Sequence, residues 1–242
     1  MFERALALDP QSVEAQIRLA NSLVVRVLDQ ITDSAATDLA RAEKLIAQAL
    51  VVSPRNALAH EVKGQVLRAQ YRYGEAVPEY ETALALNRNS VWSFVHLGWC
   101  KLYAGSIDEV IPLVEQAIRL SPRDPQIATM YARIGFVHLL QSRTDEAMPW
   151  LEKARSANPE LPVVHAYLAS AQGLKGGTER AAAELAEARR LAGEGSYSSI
   201  AHLKAAGLFG VTATGYFGAP KIRALFETTY FAGLRKAGMP EE

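Results

Sequence analysis

Five histidines, one cysteine and a few carboxylate pairs are the groups in this 242-residue sequence with the types needed for acid–base, nucleophilic or metal chemistry. His60, His96, His138, His165 and His202 show no His-Glu-x-x-His spacing and join no Cys/His cluster, so they form no zinc-type ligand set and read as packed or surface imidazoles. Cys100 stands alone, which excludes an internal disulfide and suits a small buried thiol in a reducing compartment. Glu79 and Glu81 are neighbours on a charged stretch, a solvated face and not two carboxylates opposed across a cleft. The glycines between Gly207 and Gly218 follow a helical segment and lack both phosphate-cradling spacings, GxxxxGK[ST] and GxGxxG. No nucleophile elbow is present. These readings point away from catalysis, metal and cofactors. The informative residues are aromatic and basic. Trp92 and Trp99 lie seven residues apart, on one side of a helix about two turns apart, and Trp, Tyr and Arg dominate binding hot spots. Three readings follow: the pair packs against adjacent helices, it anchors an apolar or amphipathic peptide in a groove, or the chain's own last helix fills that groove.

The elements that must position these residues recur. Ala76-Val77-Pro78-Glu79-Tyr80, Val110-Ile111-Pro112-Leu113-Val114 and Ala147-Met148-Pro149-Trp150-Leu151 align, each followed three residues later by Ala83, Ala117 or Ala154. The period, about thirty-four residues, is of solenoid length, and such units bury their apolar faces only by stacking. Registered on the small residues, the units run 13–56, 57–90, 91–124, 128–161 and 162–195, with 1–12 as the second helix of a truncated repeat. Each holds two helices, with small residues where a neighbour approaches and Tyr80, Val114 and Leu151 filling the gap. Asp9-Pro10, Ser53-Pro54, Ser121-Pro122 and Asn158-Pro159 end helices. Pro78, Pro112 and Pro149 are placed close to the start of second helices, where a missing N–H costs least.

The set Gly98, Val110, Val114, Ala117, Leu120 and Pro122 resembles the tetratricopeptide repeat (TPR) signature, and its relatives cover residues 1–195. The resemblance implies an all-α, right-handed superhelix, or α-solenoid, that binds proteins or peptides through its concave surface. The family's concave positions correspond to Trp92, Val95, His96, Trp99, Leu102 and Tyr103, to Arg133, Phe136 and Leu140, and to Gln65 and Arg68. Asn21 alone matches the Lys/Asn clamp with which some members hold a peptide's terminal carboxylate. Lys63, Lys101 and Arg88 depart from the consensus Leu, aromatic and Pro, which predicts looser packing in the second and third units.

Two stretches leave the period. In 13–56, Val24, Val27, Leu28 and Ile31 extend the apolar stripe, and Thr32-Asp33-Ser34 supplies turn and cap chemistry, predicting a hairpin about two turns longer than the rest. After 195, Ser196–Ala206 reads as a short helix, 207–218 as an ordered aromatic loop, and 220–236 as a helix whose face of Ile222, Leu225, Phe226, Thr229, Tyr230 and Leu234 must dock, in the groove or on residues 178–206. The tail also resembles the C-terminal ends of bacterial signalling proteins in which such repeats follow a class III adenylate cyclase or winged-helix domain. That resemblance implies a sensory region whose catalytic aspartates lie elsewhere. Twenty-six basic residues balance twenty-six acidic ones, so no global field favours nucleic acid or anionic lipid. No apolar run suits a membrane span and no signal sequence opens the chain, so the expectation is a cytoplasmic protein. The unpartnered Phe2, Leu6 and Leu8 predict a homodimer through the N-terminal half repeat.

Overall fold

The structure is a computed structural model that describes every residue except Gln30, Glu194 and 207–217. The described helices are α1 (Phe2–Leu8), α2 (Val13–Leu28), α3 (Ala35–Val52), α4 (Ala57–Ala69), α5 (Tyr73–Leu86), α6 (Val91–Ala104), α7 (Val110–Leu120), α8 (Ile127–Leu140), α9 (Thr144–Ala157), α10 (Pro162–Leu174), α11 (Thr178–Ala192) and α12 (Ile200–Ala206). A last helical rod comprises α13 (Pro220–Phe226), a π-turn (Glu227–Phe231) and α14 (Ala232–Lys236). Among the described residues there is no strand. The helices pair as hairpins, α2 with α3, α4 with α5, α6 with α7, α8 with α9 and α10 with α11, and successive hairpins stack into an all-α solenoid.

Local chemistry sets the helix ends. α1, α3, α7 and α9 stop one residue before Pro10, Pro54, Pro122 and Pro159, and the intervening residue takes ψ between 72 and 99° because the following ring disfavours helix. Asn87 adopts the same turn with ψ 89° although Arg88 follows it. Inside four hairpins the turn carries one left-handed residue: Tyr71 (φ 61°), Gly105 (104°), Ser142 (60°) and Gly176 (82°). At each, the next N–H reaches back to the helix end, as in Arg72 to Leu67 O and Arg143 to His138 O, which is the Schellman closure.

Gly64 and Gly135 show why the period holds: a Cβ at either would run into the ring of Tyr80 or the side chain of Leu151, both fully buried. Two consensus departures are compensated by charge. Lys63 pairs with Glu79 at 2.6 Å, and Lys101 pairs with Glu81 and Glu109, each at 3.0 Å. Two expectations are corrected. Pro78 and Pro149 are sixth in their helices and not at the start, because short loops force the helices to begin at Tyr73 and Thr144. Both prolines are exposed, so water can reach the carbonyls they leave unbonded. The first hairpin exceeds the others by about one turn, with α2 of 16 and α3 of 18 residues against 14 in α5, α6, α8 and α9, and Ile31 is left exposed beyond the end of α2. Ser34 is the N-cap of α3 but its side chain makes no capping bond; Thr32 Oγ1 accepts the Ser34 N–H and donates to Asp38.

The last rod docks. The Ile200 and Ala201 N–H groups donate to Pro240 O and Glu241 O at 2.9 and 2.8 Å, joining α12 to the chain's final residues. α14 crosses α10 where Gly233 faces Ser170 and Gly173, so tightly that a Cβ at Gly233 would overlap the Ser170 backbone. Ser170 Oγ donates to Tyr230 O at 2.8 Å. The π-turn adds a residue to the rod's register and brings Phe231 inward beside Ile222, Phe226, Tyr230 and Leu234, all buried. At ~1.5–3 kcal/mol for each large apolar side chain, this face contributes several kcal/mol. The expected aromatic loop falls, apart from Gly218, outside the described residues.

Candidate binding groove

The first helices of successive hairpins, α4, α6, α8 and α10, lie side by side and present the groove. α6 supplies most of it because its stripe is aromatic at nearly every turn. The rings form two groups, Trp92 to His96 (5.7 Å between centroids) and His96 to Tyr80 (5.9 Å), and Trp99 stacked on Tyr103 (5.6 Å), Tyr103 on Tyr73 (4.8 Å), Trp99 edge-on to Phe136 (6.2 Å) and Phe136 stacked on Tyr167 (4.2 Å). Arg133 reaches from α8 across α6, its guanidinium 4.7 Å from the Trp99 ring centre and its Nη1 donating to Val95 O at 3.1 Å.

The predicted residues fall into two groups. Trp92, His96, Arg68 and Arg133 are half-buried. Val95, Trp99, Leu102, Tyr103, Phe136 and Leu140 are buried, as is Gln65, and they contribute packing more than surface. The cover over Phe136 is the chain's own rod: Phe226 and Tyr230 stand edge-on to it at 5.4 and 5.5 Å, and Tyr230 also meets Tyr167 at 5.6 Å. The rod's entry is held at α6, where Ala219 N–H donates to Tyr103 O at 2.8 Å. Asn21 sits on α2, outside these contacts. The sequence reading missed Tyr73 and Tyr167, and placed Tyr80 between the helices without joining it to the groove. Tyr167 occupies the same register position in its unit as His96 and Arg133, so carrying the register one unit further finds it. Tyr73 and Tyr80 belong to a second helix; Tyr80 enters through the gap at Gly64, and Tyr73 stacks on Tyr103.

Electrostatically the α4–α6–α8 part is basic and poorly satisfied. Burial first, then Arg68, push the Arg133 guanidinium down to about 9. Burial, reinforced by both arginines, holds His96 well below the usual imidazole range, so it is neutral at neutral pH. Among the described residues, buried Arg68 Nε, His96 Nδ1 and Tyr103 OH have no hydrogen-bond partner. Two other histidines are structural. His60 bridges Glu79 (2.7 Å) and Pro54 O (3.0 Å), and His165 bridges Glu184 (2.6 Å) and Pro159 O (2.8 Å), so each ties a second helix to a loop. Cys100 is buried, which pushes its thiol up to about 12. Among the described residues no cluster of three or more His, Cys, Asp or Glu side chains could hold a metal ion, and no helix is long and apolar enough to cross a membrane.

A family model described as tetratricopeptide repeat matches residues 33–91. A search of curated proteins gave no match. Among solved structures, YrrB, described as a TPR protein with an unusual peptide-binding site, is 20% identical over 79% of this chain and 92% of its own, with a TM-score of 0.57. PilF of Pseudomonas aeruginosa is 16% identical over 92% of this chain and 89% of its own, with a TM-score of 0.63. A chain of the APC/C hetero-tetramer Cut9–Hcn1 is 13% identical over 97% of this chain and 40% of its own, with a TM-score of 0.65. At these identities the likeness is one of fold.

Proposed function

Taking the chain as one built of tetratricopeptide repeats, we propose that it is a non-catalytic scaffold that binds a protein or peptide through its first helices. The observation that carries this reading is the ring-and-arginine row on α4, α6 and α8. Trp92 and His96 are half-buried there, beside polar groups that have no partner among the described residues. A stacked solenoid presents such a row preformed, so little ordering entropy is lost on binding. YrrB, with its peptide-binding site, supports the reading by analogy of fold. The tail's likeness to cyclase or winged-helix signalling proteins gains no support from these comparisons.

The test is peptide-phage selection on the immobilised full chain, followed by titration of the selected peptides against Trp92→Ala and His96→Ala. Selected peptides should shift tryptophan emission and lose at least about tenfold in affinity on Trp92→Ala, the scale of a hot-spot truncation. Peptides indifferent to both changes would place binding elsewhere.

Self-association through the N-terminal end belongs to the same proposal. α1 buries no residue, and Leu8 is 90% exposed. Sedimentation of the full chain at high concentration should show a dimer that Phe2→Glu/Leu6→Glu abolishes. A monomer throughout would remove it.

A further inference from the structure

The two long edges of the solenoid treat their cations differently. One edge carries the turns inside the hairpins, and at or beside those turns Arg72, Lys101, Arg143 and Lys175 pair with the carboxylates of Glu75, Glu109, Glu146 and Asp145. The opposite edge carries the loops between hairpins. Three consecutive loops there, 53–56, 87–90 and 121–124, each put one arginine into an exposed two-residue turn: Arg55, Arg88 and Arg123. None of the three forms an ion pair among the described residues. The acids close to these loops are engaged elsewhere: Asp124 accepts the Gln126 N–H at 2.9 Å, Glu61 accepts the hydroxyls of Ser90 and Ser93, and Glu79 pairs with His60 and Lys63. An apolar side chain accompanies each arginine. The last residues of α3, α5 and α7, just before the three loops, are Val52, Leu86 and Leu120; Val52 is 60% exposed and the other two are half-buried.

The repeat spacing decides what kind of partner fits. Successive units set these arginine-and-apolar pairs about one helix-packing distance apart, ~8–10 Å. A polyproline II segment advances ~9 Å in one turn of three residues, so side chains three apart return to one face at that interval. A β-strand, whose faces alternate at every residue, would turn half of such side chains away. Polyproline II is therefore the shortest backbone that keeps every contact on one side. The loops hold no aromatic side chain on which nucleic-acid bases could stack, and three arginines fall short of the about four to eight cations of a lipid-binding cluster. We propose that this edge is a second docking surface, for an acidic polyproline II segment of a partner protein with Asp or Glu at every third residue and apolar residues between. The carboxylates meet Arg55, Arg88 and Arg123, and the apolar residues cover Val52, Leu86 and Leu120. The surface is separate from the concave groove and goes beyond the scaffold reading.

The test uses the full chain and three fluorescein-labelled peptides: three repeats of Glu-Pro-Leu, the same with Gln for Glu, and one of the first composition with its Glu residues adjacent. Binding is read by anisotropy at low salt. The spaced Glu peptide should bind at least about tenfold tighter than the other two, as three exposed pairs acting together allow, and should weaken several-fold at about 0.5 M salt. Arg55→Gln/Arg88→Gln/Arg123→Gln should bring the Glu and Gln peptides to within about twofold without lowering the melting temperature. Arg4→Gln/Lys44→Gln/Arg180→Gln, which removes as many exposed charges elsewhere, should leave the preference intact, as should Trp92→Ala. Equal binding of Glu and Gln peptides, no binding below about 1 mM, or a preference that survives the edge substitutions overturns the docking surface. So does equal binding of the adjacent-Glu peptide, which removes the three-residue match, and so does a preference lost on Trp92→Ala, which moves the acids to the concave groove. Phosphatidylserine–phosphatidylcholine vesicles that retain the parent but not the edge variant would make this a membrane-facing edge and also overturn it. The phage selection decides separately on the scaffold.

Discussion

The groove has two ends built from the same repeat, and they differ in how far the chain has finished them. At α8 and α10 the rod formed by α13 and α14 lays Phe226, Tyr230 and Phe231 into the aromatic row, and Ser170 satisfies the Tyr230 carbonyl. This end is packed as protein interiors are. At α4 and α6 the concave side carries Arg68, His96 and Tyr103, whose buried polar atoms have no partner among the described residues. Two ends made by one helix-hairpin design therefore show that the repeat fixes positions, while cover and pairing decide whether a position is core or recognition surface.

The largest expected effect breaks the finished end. Gly233→Val places methyl groups into the Ser170 backbone, and with no room to shift it should cost about 3 kcal/mol of stability by overpacking; a chemical-denaturation midpoint equal to the parent's would show that the rod does not cross α10 as described. Next, Ala117→Leu, at a fully buried position on α7, should cost about 2 kcal/mol by the same overpacking, checked by the denaturation midpoint. The unfinished end is sharpened by pH. His96 and His138 are both held below the usual imidazole value by burial, so the unfolded chain takes up protons first as pH falls through about 6.5. The stability they contribute is complete above that value and is lost below it, at up to about 1.4 kcal/mol per pH unit for each. His96→Gln should roughly halve the slope measured by denaturation between pH 6.5 and 5, and an unaltered slope would place His96 in water. The smallest effect serves as a control away from both ends: Ser142 holds φ 60°, so Ser142→Gly should raise stability by about 1 kcal/mol, and a loss would show that its side chain matters more than its backbone.

Much of this was legible in the residues. Small residues opposite large ones, as in Gly64 and Tyr80, gave the stack, and prolines gave four helix ends. The concave register named Trp92, His96, Arg68 and Arg133, which the fold does bring together. Other features are not local. Nothing in Thr228-Thr229-Tyr230 announces a π-turn, so Phe231 was left off the docking face; the extra residue in the turn rotates it inward. The prolines were placed too near the helix starts because loop length, a property of the stack, set where α5 and α9 begin. The ion pairs that offset Lys63 and Lys101 join residues from different helices, which only the hairpin brings together.

Hydrogen exchange of the full chain, alone and saturated with a phage-selected peptide, tests the contrast between the two ends most directly. Amides of α4, α6 and the first half of α8 should gain protection on binding, while those of 220–236 and α10 keep the slow exchange of a finished core. Loss of protection in 220–236 on peptide binding would contradict the account, because the ligand would then be entering the covered end by displacing the rod and the two ends would be one site.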